Sequence, residues 1–313
     1  MIGDIFSLAF LTGFLAATVR LAAPIIFVSL GETFAQRSGV INLGVEGIMT
    51  VGCFSAFVTT YFTGNPWLGL LSGLAAGGLL AIVHAFFTIT LGINQIIIGL
   101  AIFMLGSALT GFIFRGIFGV TLTPPIISGF EPIHIPILNQ IPVIGPALFQ
   151  QTFLVYLAFL LIPICGIILF KTTFGLKIRS VGENPRASDA RGVNVYRTRY
   201  LCVIFGGLMA GIGGAFLVLS IPKQSFLELI VAGRGWIAIA IVIFSRWNPY
   251  WVPLGALLFS GIDALQLRLQ VLGVAVPYHL LLMLPYLVTL IVFIFRSKGL
   301  IRPAALNVPY RRE

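Results

Sequence analysis

Asn184, Pro185 and Gly192 bracket the run Arg186-Ala187-Ser188-Asp189-Ala190-Arg191. Their types and spacing predict a short helix of about two turns, ~9–10 Å long at 1.5 Å per residue. Asn184 suits the N-cap, and Pro185 suits the first helical position, where a missing N–H costs nothing. Gly192 suits the left-handed residue that ends a helix. The run lies in a basic stretch, residues 171–199, that carries seven of the chain's 19 Lys and Arg residues. A helix signed at both ends and set between two long apolar runs can dock against a partner protein. A solvated, positively charged loop is the plainer reading of the same residues.

A second set of residues could do different chemistry. Glu46, His84, Asn94, Gln95, Asp263, Gln266 and Arg268 lie inside or at the edges of apolar runs, with Asn42 just ahead of the second run. Ionisable groups at membrane depth are costly and normally face a bundle interior or an aqueous route. Asn42, Glu46, Asn94, Gln95, Asp263 and Gln266 are therefore candidates for a translocation pathway for a polar solute. Hydrogen bonding between helices is the alternative for each of them, and His84 reads as a packing residue. Gly44 and Gly47 would let the chain bend beside Glu46, and bare backbone at that depth is tolerated only against protein or a cavity.

Catalysis finds little support. The sequence has no G-x-x-x-x-G-K-[ST] phosphate loop and no G-x-S-x-G elbow. His84, His134 and His279 are dispersed, and no His/Cys/Glu cluster has metal-ligand spacing. The reading is of a chain that is not an enzyme and holds no metal or cofactor of its own. Cys53, Cys165 and Cys202 fall within or beside apolar runs and read as small packing residues.

The elements that must position these residues are membrane spans. Hydrophobic residues make up 58% of the 313-residue chain and charged residues 9%, against roughly 25% charged in a soluble domain. Mean hydropathy is +1.07. The apolar runs approach the ~20 residues a crossing helix needs, which favours helices over a barrel's short alternating strands. The fold expected is an all-α polytopic transmembrane bundle with about nine spans (eight to ten), forming one domain over residues 1–313. The spans are read at 5–30, 45–62, 67–91, 94–114, 153–170, 200–220, 250–269 and 278–295, with 231–246 a marginal crossing or a broken helix. A Pro-rich segment, 116–150, reads as an ordered loop outside the membrane. Gly73 and Gly77 in the third span, and Gly207, Ala210, Gly211 and Gly214 in the sixth, mark faces for close helix packing, within the chain or at a dimer seam.

Charge sets the orientation. Placing 171–199 inside the cell also puts 31–43, 246–249 and the tail 296–313 inside, so the inner face receives 14 Lys and Arg residues. The outer face receives four: Arg115, Lys223, Arg234 and Arg268. The positive-inside rule then puts the C-terminus in the cytoplasm, and nine crossings put the N-terminus outside. The basic residues belong to this pattern, and no nucleic-acid partner is expected.

Four blocks taken together carry a resemblance: RSGVINLGVEGIMTVG (37–52), SVGENPRASDARGVNVYRTR (180–199), GGLMAGIGGAF (206–216) and RGWIAIAIVIFSRWNP (234–249). The set resembles the permease subunits of bacterial ABC importers, in the branched-chain amino acid and simple-sugar branch, and most closely the nucleoside importers. The resemblance implies that residues 184–192 form a coupling helix that docks on a separate ATPase, which binds ATP and Mg2+. The sequence departs from the E-A-A-x-x-x-G motif of other importer classes. With Gly192 at the motif's glycine, Arg186-Ala187-Ser188 stands where Glu-Ala-Ala would. The docking role carries over and the glutamate's ionic contact does not. The resemblance further implies a second, paralogous permease, a substrate-binding lipoprotein outside, and a nucleoside substrate, in the cytoplasmic membrane of a bacterium with lipid around the bundle. A simple sugar or a branched-chain amino acid is the alternative cargo. A secondary transporter or channel is the alternative class.

Overall fold

The computed structural model describes residues 8–119, 124–136, 141–271 and 301–312, with isolated positions between 280 and 294. The expected span at 278–295 lies outside the described residues, those isolated positions apart. Long apolar runs can satisfy their backbone in lipid only within a helix, and the chain obeys this. It forms α1 (Leu8–Arg37), α2 (Val45–Thr63), α3 (Pro66–Ala85, prolonged by a π turn over Phe86–Thr90) and α4 (Gln95–Phe118). The loop that follows is stiffened by an antiparallel pair, β1 (Ile133–His134) and β2 (Gln150–Gln151), and by α5 (Ile144–Leu148). Next come α6 (Phe153–Lys171), α7 (Thr173–Glu183), α8 (Pro185–Ala190) and α9 (Val195–Leu219). The last are α10 (Arg234–Phe244) and α11 (Val252–Val271). Among the described residues, seven helices are long and apolar enough to cross a bilayer: α1, α2, α3 with its π turn, α4, α6, α9 and α11 with the turn before it. The chain is an all-α, multi-pass membrane bundle.

The hub is α9, which packs on α1, α2 and α3. Its glycines make that closeness possible. A Cβ on Gly211 would overlap the Gly73 carbonyl, and one on Gly52 would stand 2.8 Å from the Gly211 Cα. The small-residue faces of the third and sixth spans therefore meet each other inside the chain.

The connections sort onto two faces. On the first, Arg37 Nε donates to the Trp247 carbonyl at 2.9 Å, and Ala305 N–H donates to the Gly182 carbonyl at 2.9 Å. On the second, Ile127 N–H reaches the Gln224 carbonyl (2.9 Å) and Phe130 N–H reaches Leu219 (2.7 Å). There too, Arg268 near the end of α11 lies 5.3 Å over the Phe10 ring at the start of α1. Residues 220–247 thus pass from the second face to the first. Only α10, ~16 Å long at 1.5 Å per residue, is helical along the way.

The helix ends differ from the sequence reading in four places, one of them the start of α9 at Val195, five residues ahead of the expected 200. α1 continues through the polar stretch to Arg37, because Glu32 and Gln36 turn into the protein one helical turn apart. α4 continues to Phe118, so the loop that follows begins at Gly119, where φ is +72°. The basic stretch holds a further helix, α7, whose start is capped by the Thr172 hydroxyl accepting Gly175 N–H at 3.1 Å.

Candidate functional site

The first-face site is built around α8. Asn184 Oδ1 accepts Ala187 N–H at 3.0 Å, and Pro185 opens the helix. Gly192 ends it with φ +81°, its N–H bonded to the Asp189 carbonyl at 2.8 Å and Val193 N–H bonded to Ser188 at 3.0 Å. Ser188 turns inward, its hydroxyl on the Asn184 carbonyl. Arg186, Ala187, Ala190 and Arg191 are exposed. Asp189 is held from the side: Tyr310 donates its hydroxyl at 2.9 Å, and Arg312 Nε lies at 3.0 Å.

Behind α8 the scaffold is continuous. A Cβ on Gly182, at the end of α7, would overlap the Arg37 carbonyl at the end of α1. Arg37 in turn bonds the Trp247 carbonyl just beyond α10. Trp247 is buried, and its Nε1 donates to Gln36 Oε1 at 2.7 Å, while Gln36 Nε2 reaches Glu32 Oε2 at 3.4 Å. The chain that leads from α7 into α8 thus rests on the end of α1, which in turn meets the residues just beyond α10.

The second cluster lies inside the bundle, where two irregular stretches meet. Glu46, 5% exposed, accepts the N–H groups of Gly233 and Gly235, both at 2.7 Å. One carboxylate thus satisfies orphan donors at the start of α10. Asn42 Oδ1 accepts Gly44 N–H at 2.9 Å, and Gln95 Oε1 accepts Ile41 N–H at 2.8 Å. These three buried residues spend oxygens on the bare backbone between α1 and α2 and ahead of α10. Asp263, partly buried, lies 3.8 Å from Arg234 Nη2, and the buried Gln266 follows one turn along α11. Asn94 is apart from this group. It is exposed and caps α4, accepting Ile96 N–H at 2.9 Å. His84 is fully buried.

Some participants escaped the sequence reading. Glu32 and Gln36 fall in the stretch 31–43 between the first two expected spans, although their i, i+4 spacing beside a long apolar run is the signal for an inward helical face. The tail was read only as basic charge. Its Pro303, Val308 and Tyr310, set among the arginines, are the marks of a segment that packs.

Residues 14–294 match the family model described as the permease component of the branched-chain amino acid transport system. A putative glucose ABC transporter permease of Haloferax volcanii is 43% identical, the match covering 86% of this chain and 81% of the relative. A guanosine ABC transporter permease of Bacillus subtilis is 39% identical over 94% of this chain and 95% of the relative. A nucleoside ABC transporter permease of Lactococcus lactis is 37% identical over 92% and 93%. Each of the last two organisms also has a second permease of the same description among the matches, at 25% and 23% identity. No solved structure matches the chain.

Proposed function

The chain belongs to the permease family of branched-chain amino acid transport systems, and from that premise we propose that it forms part of the pore of an ATP-driven importer carrying a nucleoside into the cell. The observation that carries the importer reading is α8, a capped helix that exposes Ala187 and Ala190 beside Arg186, buttressed by the ends of α1 and α10. It is the coupling helix, and residues 184–192 dock on a separate ATPase that binds ATP and Mg2+. The first face is cytoplasmic, in keeping with its share of the positive charge. The start of α1 is then outside.

The relatives' names favour a nucleoside, as two of the three long matches transport one. The paired permeases in both organisms favour a second, paralogous permease as partner. A substrate-binding lipoprotein on the outer side delivers the solute. The route runs beside the broken passage at α10. Asn42, Glu46 and Gln95 hold its wall, since their oxygens are already engaged, and Asp263 and Gln266 offer polar groups to the solute. Asn94 stands at the inner mouth. Neutral, hydrogen-bond-rich solutes suit such a lining better than charge clamps.

A simple sugar is the second reading, favoured by the Haloferax volcanii relative. Radiolabelled nucleoside uptake in cells lacking other nucleoside carriers separates the two. Competition by unlabelled nucleosides, and none by glucose, ribose or leucine, is the expected result. Competition by a sugar or leucine, with none by nucleosides, would replace the cargo and leave the importer standing.

A further inference from the structure

The tail 301–312 crosses the first face and meets α7, α9 and two turns between helices. Ala305 N–H bonds the Gly182 carbonyl at the end of α7 (2.9 Å), and Asn307 N–H bonds the Gly39 carbonyl beyond α1 (3.1 Å). The Val308 carbonyl accepts from Arg199 Nη1 at 3.1 Å, and the same buried guanidinium donates through Nε to the Ser38 carbonyl at 3.2 Å. Tyr310 then turns inward, and its ring joins Val181 of α7 and Val195 of α9 in a small apolar cluster. A Cβ on Gly92 would stand 3.8 Å from Arg311 Nε and 3.9 Å from Pro309 Cβ, so the tail also lies against the turn between α3 and α4.

These contacts run from the coupling helix to the inner mouth of the route. At one end the Tyr310 hydroxyl donates to Asp189 of α8 at 2.9 Å, and Arg312 Nε lies 3.0 Å from the same carboxylate. At the other end the tail meets Gly39, three residues before Asn42, and Gly92, two residues before Asn94. Both glycines take positive φ, +95° and +68°, as tight turns require. The two turns are bonded to each other, since Gln95 Oε1 accepts Ile41 N–H at 2.8 Å. The tail therefore touches, in one continuous segment, the helix that docks and the turns that carry pathway residues.

We propose that the tail is a mechanical link between the coupling helix and the inner mouth, with Tyr310 and Arg312 as the positioning residues that tie it to Asp189. The inference rests on the importer reading above and adds to it the part that carries movement of α8 to Asn42, Asn94 and Gln95. The hydroxyl and the guanidinium fix Asp189 from two directions, so α8 carries the tail with it. The bonds at Gly39 and the contact at Gly92 pass that movement to the two turns together.

The test uses the complete importer in proteoliposomes, with Tyr310→Phe and Arg312→Gln in this chain, singly and combined. Tyr310→Phe keeps the ring in its apolar cluster and removes only the hydroxyl. Three quantities are read: ATPase binding to the permease pair, the rate of ATP hydrolysis, and nucleoside taken up per ATP hydrolysed. The expected result is unchanged binding and continuing hydrolysis, with uptake per ATP lowered about threefold or more in the combined variant, in the range of couplings carried by single side chains. Wild-type uptake per ATP in the combined variant would overturn the link, and lowered thermal stability beside it would mark the tail as a static brace. Weakened ATPase binding with uptake per ATP intact would overturn it as well, by making the clamp a support for docking. Uptake by the unsubstituted complex that does not need ATP would instead remove the importer reading itself.

Discussion

Glu46 accepts the backbone N–H of Gly235 at 2.7 Å, across 189 residues of sequence. The contact joins the first turn of α2 to the first turn of a helix too short to cross the membrane. Gly235 is required there, since a Cβ would stand 2.7 Å from the Glu46 carboxylate and 2.8 Å from its backbone. The broken passage of residues 220–247 can start its helix at depth because this carboxylate takes up the freed donors.

Replacing the carboxylate tests that role. Glu46→Ala leaves the Gly233 and Gly235 N–H groups unpaired in the bundle, at about 1–3 kcal/mol for each orphaned group. Lowered thermal stability of the purified complex and loss of uptake are expected together. Glu46→Gln keeps one acceptor and should recover part of both. Normal stability with uptake lost in Glu46→Ala would instead mark the residue as a direct substrate contact.

The packing of α9 yields a second expectation. Gly211→Val puts a branched side chain where even a Cβ overlaps the Gly73 carbonyl, so helices α3 and α9 must part. Overpacking of this kind costs about 1–3 kcal/mol. Poor yield of folded protein is the predicted readout. Normal yield would mean that the seam between α3 and α9 is wider than described.

Gly192 gives a cleaner probe of coupling, because no atom lies within 4 Å of a Cβ built on it. The effect of Gly192→Val is then backbone strain at φ +81°, about 1–2 kcal/mol, confined to the end of α8. Membrane insertion should be unaffected. Substrate-stimulated ATP hydrolysis and uptake should fall together, and wild-type values of both would remove α8 from the coupling role.

Topology can be read with tags. The start of α1 and the tail 301–312 lie on opposite faces, and the tail's face carries most of the positive charge. An N-terminal tag should be reachable from outside the cytoplasmic membrane, and a C-terminal tag only after permeabilisation. Inner labelling of both termini would contradict the assignment.

How much of this was legible in the sequence depends on whether a signal was local. The caps of α8 were, since Asn184, Pro185 and Gly192 each act within four residues, and all three sit as their types required. The glycine faces of α3 and α9 were legible as close-packing surfaces, although not as each other's partners. The polar residues at depth were legible only as a set. Nothing local in Glu46 says that its oxygens belong to Gly233 and Gly235. The extent of α1 was misread because Glu32 and Gln36 look like the end of a span until Trp247 is brought to them. The packing of the tail 301–312 is not legible for the same reason: its bonds to Gly39, Gly182 and Arg199 are all long-range.

The most direct test of the central claim is solute accumulation in proteoliposomes that contain the permease pair, the ATPase and the binding protein, with Mg-ATP supplied on the ATPase side. Uphill accumulation of a radiolabelled nucleoside that requires hydrolysable ATP and is lost with Gly192→Val is the expected result. Accumulation that proceeds without ATP and follows an imposed ion gradient would contradict it.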